Sequence, residues 1–388
     1  MSEFGFKNMG RMELFLWDLE LYLQIQQRLG DRIVLKGGAA TQFYLPVEAQ
    51  RTSVDIDMLF YGKYDEIGTV LDDIRKDLSD DEGLFEFEEY FPDNPKTGLP
   101  LHTYFATVPS VLTAAERRTE KNYPARQEIK VEFILQTKKR EYVLTHGREI
   151  FAVRSTFKYQ ILPLDSLSAD KLSTLGGETI GVQNDRMDEQ IKHLYDIIML
   201  TKHCLSRMNS REIGKKYMER AKEEWGVRRG DEPFSIKQIM DDVYRQLRRY
   251  EQADTGEDKE LVKTINDFHS LYINSNVDFS PAFVACGASF LRMLYQIVMG
   301  NADWAALARV LEIEKNLEFA QFEGREKGVR VRRLRDRLVE EFAIDSVLPA
   351  NILKGKTHRR VFWAVVNLKN LDGIESLISE IVASGKAN

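Results

Sequence analysis

The chain has 388 residues, which is enough for two domains of ordinary size. Hydrophobic residues make up 43% of it and charged residues 30%, a composition typical of globular proteins rather than of disordered or fibrous ones. The formal net charge of −6 argues against nucleic-acid binding through bulk positive charge, although it leaves a local basic surface open.

Cysteine content and the N-terminal segment both favour the cytoplasm. The two cysteines, Cys204 and Cys286, are too few and too far apart to suggest a disulfide framework or a cysteine zinc site. The N-terminal segment lacks the basic region and the continuous apolar core of a signal peptide. We see no run approaching the roughly 18 apolar residues of a spanning helix. We therefore expect a cytoplasmic protein with no membrane partner.

Helix and strand patterns alternate in the front half of the chain. Helical spacing of apolar residues predicts a helix over 12–29, and "RIVLKGG" then predicts a strand that runs into a glycine turn and a short helix. "SVDIDMLFYG" is typical of a strand, and 64–78 of another helix. β-branched and aromatic residues predict strands over 101–108 and 128–136, with strand-like segments continuing to about residue 163.

Helical patterns dominate the rest of the chain. Asp165 is a plausible N-cap for "SLSADKLSTLG", and "DEQIKHLYDIIMLTKH" predicts the next helix. From residue 206 onwards the pattern is almost entirely helical, with a polar break at "EQADTGEDKE" and no repeat of fixed period. We therefore predict an α+β domain over 1–205 and a helical domain over 206–388.

Two aspartates occupy alternate positions in the strand "SVDIDMLF". Residues two apart on a strand face the same side, so Asp55 and Asp57 project together. Like charges this close are unfavourable without a positive partner. An exposed edge strand with a solvated polar face is one interpretation. The apolar flanks favour a central strand instead, where a divalent cation such as Mg²⁺ is the natural partner.

A glycine pair precedes that strand. Gly37 and Gly38 lie at a predicted strand-to-helix turn, where glycine lets the backbone approach a phosphate and the N–H groups of the helix favour an anion. The pair alone is weak evidence, and it fits neither the dinucleotide-binding pattern nor the P-loop. Strand, glycine pair, helix and Asp-x-Asp in close succession together indicate a metal–phosphate site.

The motif "LKGGAA…RTSVDID" resembles the first signature of the polymerase-β-like nucleotidyltransferase superfamily. In its fuller form it is similar to the AbiEii/AbiGii toxin family, although Ala39 replaces the usual threonine. The resemblance covers roughly 30–200 and implies a nucleotidyltransferase domain with a mixed sheet, followed by a mainly α-helical C-terminal domain. The matching positions are Lys36, Gly37, Gly38, Arg51, Ser53, Asp55 and Asp57.

The resemblance also implies site residues later in the chain. "IKVEFIL" offers Glu132 as a third carboxylate, where the family more often has Asp; an exposed strand glutamate is the alternative. Lys171 would hold a triphosphate oxygen, and Asp196 would orient Lys171 or help activate the acceptor hydroxyl. A plain helix-surface pair is the competing explanation for both. The family's Arg-Asp positions are Lys192 and His193 here, and we interpret His193 as a packing or surface residue.

The implied reaction is transfer of a nucleoside monophosphate from an NTP to an acceptor, with release of pyrophosphate. Mg²⁺, or alternatively Mn²⁺, would be bound by Asp55, Asp57 and Glu132. Arg51 alternatively pairs with an aspartate when no substrate is bound. The residues expected to contact the nucleotide phosphates are Lys36, Gly37, Gly38, Arg51, Ser53 and Lys171.

The resemblance further implies RNA as the acceptor, notably the tRNA acceptor end, and a toxin of a toxin–antitoxin or phage-defence system with a cognate antitoxin. An arginine-rich segment, "GREKGVRVRRLRDRL", offers RNA contacts through Arg330, Arg332, Arg333 and Arg335. A solvated helix face is the other interpretation, since acidic residues alternate nearby. Two further classes stay open: a transferase of the same fold that modifies a small molecule or a protein, and a non-catalytic member that binds nucleotide or RNA.

Overall fold

The computed structural model describes residues 5–78, 83–91, 100–119, 123–139, 141–147, 150, 155–300, 304–318 and 327–383. Within these ranges the chain forms one seven-stranded sheet and fifteen α-helices. The predicted α+β class, with a mainly helical C-terminal region, is confirmed. The strand-like pattern predicted between 141 and 156 is described only in part, because 148–149 and 151–154 lie outside the described residues.

The sheet is mixed, and its central strand is the one that carries the two aspartates. Strand order is β3-β4-β5-β2-β1-β7-β6, so β2 has three strands on each side. It pairs in antiparallel fashion with β1 and in parallel fashion with β5. The strands are β1 (Ile33–Lys36), β2 (Asp55–Phe60), β3 (Glu86–Tyr90), β4 (Leu101–Pro109), β5 (Arg126–Leu135), β6 (Val143–His146) and β7 (Lys158–Ile161).

Helices of the front half surround this sheet. The first helix begins at Met9, before the start predicted from its apolar spacing, because the Asn8 side chain accepts the Arg11 N–H at 2.8 Å and caps it. The helices are α1 (Met9–Leu29), α2 (Gly37–Gln42), α3 (Tyr64–Asp77), α4 (Ala114–Thr119), α5 (Leu164–Ser173) and α6 (Met187–Cys204).

Nine further α-helices follow in the described part of the back half. They are α7 (Ser210–Arg229), α8 (Ile236–Glu251), α9 (Lys259–Tyr272), α10 (Pro281–Met299), α11 (Ala305–Glu318), α12 (Lys327–Phe342), α13 (Ala350–Leu353), α14 (His358–Val365) and α15 (Leu371–Ala383). Helix α10 is long and apolar enough to cross a membrane by length and composition, contrary to our expectation from the sequence. Most of it is buried against α7, α8 and α14, which is typical of a core helix.

Contacts cross the predicted boundary at residue 205. Helix α6 packs on α9, and the Thr52 N–H donates to the Tyr272 carbonyl at 2.9 Å. Arg51 forms an isolated antiparallel bridge with Ile273. Buried apolar residues of both halves belong to one core. The division into domains at this point therefore stays a prediction, and the back half lies directly against the segment that precedes β2.

Candidate active site

The glycine pair forms the turn between β1 and α2. Gly37 has φ of +69°, a conformation that side chains other than glycine rarely adopt. A Cβ atom there would also overlap the Asp57 carboxylate. A Cβ on Gly38 would lie 2.7 Å from Arg51 Nη2 and 2.9 Å from Ser53 Oγ. Both glycines are required because the side chains that follow in the motif fill the space beside their Cα atoms.

Asp55 and Asp57 share one face of β2, as the strand period predicts. Ile56 and Met58, which alternate with them, are fully buried on the other face. Burial raises the pKa of Asp55, and the negative charge of Asp57 raises it further. The negative charge of the two carboxylates is therefore only partly compensated. A cation bound between them would compensate the rest.

Glu132 lies on the neighbouring strand β5, directly beside Asp57 in the register. Its Oε1 forms an ion pair with Lys130 Nζ at 2.5 Å. Burial raises the pKa of Glu132 to about 7, with the charge of Asp57 adding to the effect. The alternative of an exposed strand glutamate is wrong, because the side chain is only 18% exposed and faces the aspartates.

Asp196 on α6 joins two cations from different parts of the chain. Its Oδ1 and Oδ2 accept from Arg51 Nε and Nη2, each at 2.7 Å, and Oδ2 also contacts Lys171 Nζ at 2.7 Å. All three side chains are less than 5% exposed, so a helix-surface pair is excluded. Burial alone would raise the pKa of Asp196, but the charges of Arg51 and Lys171 outweigh it and lower the pKa to about 2.

His193 lies beside this group, and its partly buried position against Lys171 fits the packing alternative of its interpretation. Its Nδ1 lies 3.2 Å from Lys171 Nζ. Enclosure of the ring lowers the pKa of His193 well below its usual value, and the charge of Lys171 lowers it further. The lowered pKa favours the neutral imidazole, whose Nδ1 then accepts a hydrogen bond from the Lys171 ammonium. Sequence reasoning missed this role because nothing in the local pattern places His193 beside Lys171.

One cavity of about 340 Å³ brings these groups together, a size suited to a small-molecule ligand. Asp196 lies behind Arg51 and Lys171, and at 0% exposure it does not reach the cavity. Lys36 lines the cavity and forms an ion pair with Asp170 Oδ2 at 2.8 Å. The predicted site residues that line the cavity are Lys36, Gly37, Gly38, Arg51, Ser53, Asp55, Asp57, Glu132 and Lys171.

Tyr272, at the end of α9, also lines the cavity and was not predicted. Lys192 Nζ lies 5.1 Å from the centre of its ring, and Arg11 Cζ lies 4.9 Å from it. Both separations are within the range of cation–π interactions. Its carbonyl is the acceptor for the Thr52 N–H described above. No local sequence signal could have identified Tyr272, since the contact joins segments that are far apart in the chain.

The four arginines predicted to contact RNA lie elsewhere, on α12. This helix packs on α13, α14 and α15, and none of its arginines lines the cavity. Arg335 Nη2 lies 2.7 Å from Asp336 Oδ1, and Arg333 Nη2 lies 3.8 Å from Glu380 Oε1. The acidic neighbours reduce the net charge of this surface. RNA contact through Arg330, Arg332, Arg333 and Arg335 therefore stays a prediction.

The oxygen donors in the cavity fit a hard divalent cation. Within the described ranges, no three or more His, Cys, Asp or Glu side chains are already arranged as a metal site. Asp55 and Asp57 nevertheless open into the same cavity, and burial together with the charge of Asp57 raises the pKa of Asp55. Carboxylate oxygens are the ligands that Mg²⁺ prefers, and it commonly takes one or two of them together with substrate phosphates.

Comparison with known proteins agrees with this geometry. A family model described as the nucleotidyl transferase AbiEii toxin of a type IV toxin–antitoxin system matches residues 21–296. The matched range includes the residues that line the cavity, Tyr272 among them, and ends before α12 begins. No curated protein matches the chain.

Proposed function

Because the chain belongs to the AbiEii family of nucleotidyl transferase toxins of type IV toxin–antitoxin systems, we propose that it transfers a nucleoside monophosphate from an NTP to RNA. We propose the tRNA acceptor end as the acceptor. The observation that carries this proposal is the meeting of Asp55, Asp57, Glu132 and Lys171 around one cavity. Carboxylates on one side and buried cations on the other suit a metal–triphosphate substrate.

Asp55 and Asp57 would hold Mg²⁺, or alternatively Mn²⁺, with Glu132 completing the oxygen donors. When bound, the cation would neutralise the carboxylates, polarise the phosphate oxygens and lower the pKa of the acceptor hydroxyl. Gly37 allows the Asp57 carboxylate to take its place against the backbone of the turn, since a side chain at this position would displace it.

The chain's own cations would hold the triphosphate. Arg51 and Lys171 share the single carboxylate of Asp196, so one positive charge is in excess beside the cavity. Lys36, Ser53 and the backbone of the glycine turn would add phosphate contacts. The acceptor hydroxyl would attack the α-phosphorus, the bond from that phosphorus to the bridging oxygen would break, and pyrophosphate would leave.

Asp196 has a supporting role in this scheme. Sequence reasoning left two roles open for it, orientation of Lys171 and activation of the acceptor hydroxyl. Its full burial and its ion pairs with Arg51 and Lys171 favour orientation, because a carboxylate behind both cations cannot reach an acceptor in the cavity. Glu132 lines the cavity and is therefore closer than Asp196 to the place where the acceptor hydroxyl would enter.

Family membership supports an antitoxin as the partner, since family members are toxins of two-component systems. RNA as the acceptor is proposed from the resemblance described in the sequence analysis. The arginines of α12 are our proposed RNA contacts outside the cavity. We place the reaction in the cytoplasm, where tRNA and NTPs are available and where buried thiols such as Cys204 and Cys286 stay reduced.

The experiment is to incubate the protein with Mg²⁺, each labelled NTP in turn, total tRNA and a protein extract. We expect label in RNA, and none with the Asp55→Asn plus Asp57→Asn variant. Label in a protein or a small product would favour the same fold acting on another acceptor. Absence of label with every NTP would favour a non-catalytic binding protein, and would overturn the proposal. NTP binding, measured separately, distinguishes that last case from a misfolded preparation.

A further inference from the structure

The surroundings of Lys171 leave one of its protons for a ligand. An ammonium group has three N–H donors and no acceptor. Asp196 Oδ2 at 2.7 Å and His193 Nδ1 at 3.2 Å account for two of them. Lys171 itself lines the cavity, although its side chain is only 3% exposed. The remaining N–H is therefore available to a group that enters the cavity.

The buried group around Lys171 has more positive than negative charge. Among these four side chains Arg51 and Lys171 are the cations and Asp196 is the one carboxylate, so one positive charge is in excess within the group. Burial lowers the pKa of Lys171, and the negative charges of Asp196 and of Asp57 across the cavity raise it. A carboxylate at position 193 would cancel this excess. A buried charge without a counter-charge is costly. Once a cation neutralises Asp55 and Asp57 on the other side of the cavity, the group is suited to an anionic ligand.

Three other cations around the cavity have carboxylates of their own, whereas Lys192 lies against the ring of Tyr272. Lys36 pairs with Asp170, and Lys130 pairs with Glu132. Arg186 pairs with Glu189 at the outer edge. Of the ion pairs described at this cavity, those of Arg51 and Lys171 with Asp196 combine near-complete burial with unequal charge.

We propose that His193 is a positioning residue that sets the affinity of the site for polyphosphate. It holds the Lys171 ammonium through a neutral acceptor, and it keeps the buried group at one positive charge in excess. The inference rests on the proposed function, in which the anion is the triphosphate of the NTP. At the position where the family in question has an aspartate, His193 gives this chain a higher affinity for polyphosphate than a carboxylate would.

The test compares four variants in the full chain. His193→Asn keeps a neutral acceptor, His193→Asp keeps an acceptor but adds a negative charge, and His193→Leu has no acceptor. His203→Asp places the same new charge on α6 at an exposed position outside the cavity, and is the matched control. Binding of inorganic pyrophosphate and of a non-hydrolysable NTP analogue is measured by calorimetry with Mg²⁺ at two salt concentrations. Thermal unfolding of each variant shows that it is folded.

We expect His193→Asn to bind pyrophosphate within about threefold of the wild-type Kd, and His193→Asp to bind about tenfold more weakly, a difference of roughly 1.4 kcal/mol. The dependence on salt should decrease in His193→Asp, because the excess charge is gone. In transfer assays the KM for the NTP should rise more than kcat falls. His203→Asp should bind as the wild type does. When Lys171 is also changed to Met, the difference in pyrophosphate affinity between His193→Asn and His193→Asp should become much smaller.

Equal binding by His193→Asp and His193→Asn would overturn the inference while leaving the proposed function in place. The inference also fails if the difference persists undiminished in the Lys171→Met background, since His193 would then act independently of Lys171. If the wild type binds neither pyrophosphate nor the NTP analogue, the proposed function fails together with the inference. If His193→Leu does not fold, comparing the pyrophosphate affinities of His193→Asn and His193→Asp still tests the inference.

Discussion

The carboxylate of Asp57 occupies the space that a side chain on Gly37 would need. The central strand and the glycine turn therefore constrain each other. We predict that Gly37→Ala displaces Asp57 and reduces nucleotide transfer at least about a hundredfold, in addition to a backbone cost of roughly 1 kcal/mol for the positive φ. Transfer to RNA and the urea midpoint of unfolding are the two measurements.

Gly230→Ala is the matched control for this change. Gly230 also has a positive φ, +58°, but a Cβ there would meet no atom within 4 Å. It should lose a similar amount of stability from the backbone alone and keep full transfer activity. If Gly37→Ala were as active as Gly230→Ala, Asp57 would not need its present position for the reaction.

Much of the site could be predicted from the sequence, because the positions of several side chains depend only on the strand or turn that carries them. The period of a strand places Asp55 and Asp57 on one face, and the apolar residues around them identify β2 as a central strand. The need for glycine at position 37 follows from the turn that connects a strand to a helix, whereas the need at position 38 comes from Arg51 and Ser53.

The rest depends on contacts between distant segments. No local pattern indicates that His193 meets Lys171 or that Tyr272 lines the cavity, because packing of α5, α6 and α9 decides both. Sequence reasoning anticipated an aspartate partner for Arg51. It could not identify Asp196 as that partner, since the two residues come together only when α6 lies against the segment before β2.

Asp196→Asn should destabilise the protein strongly, because Arg51 and Lys171 would be left buried without a counter-charge. We expect a loss of about 3–5 kcal/mol in the free energy of unfolding at pH 7. The folded-state pKa of about 2 is below the ordinary 3.8, so the ion pairs stabilise the protein above pH 4 and are lost as pH falls towards 2. Urea unfolding between pH 2 and 7 measures the free energy of unfolding. The Asp196→Asn variant should not show the loss of stability that the wild type shows as pH falls from 4 to 2. Equal stability of the two proteins at pH 7 would contradict the prediction.

For Glu132 we predict that the free energy of unfolding depends on pH with the opposite sign. Its folded-state pKa of about 7 is above the ordinary 4.5, so the folded protein binds this proton more tightly than the unfolded chain does. Stability contributed by Glu132 is present below pH 4.5 and is lost as pH rises to 7. In metal-free buffer, Glu132→Gln should therefore be more stable than the wild type at pH 8, with little difference at pH 4. Glu128→Gln, at an exposed position of the same strand, should show no such change.

The arginines of α12 can be tested for RNA contact by charge reversal. Arg332→Glu plus Arg333→Glu should weaken RNA binding and reduce its dependence on salt, while NTP binding stays unchanged because neither residue lines the cavity. Lys259→Glu plus Lys263→Glu makes the same change of charge at exposed positions on α9 and is the control. Electrophoretic mobility shifts with tRNA at several salt concentrations provide the measurement. If both double variants bind RNA as the wild type does, α12 has no part in RNA recognition.

Because Thr52 donates a hydrogen bond to Tyr272, the segment before β2 is fully anchored only after Tyr272 has been synthesised. The segment that leads into β2 is anchored by a residue made long after it, and Tyr272 itself forms part of the cavity wall. A chain still on the ribosome, or one released early, has the aspartates and the glycine turn but lacks this wall. Incomplete translation products that end before Tyr272 are therefore expected to lack a complete cavity and to be inactive in nucleotide transfer.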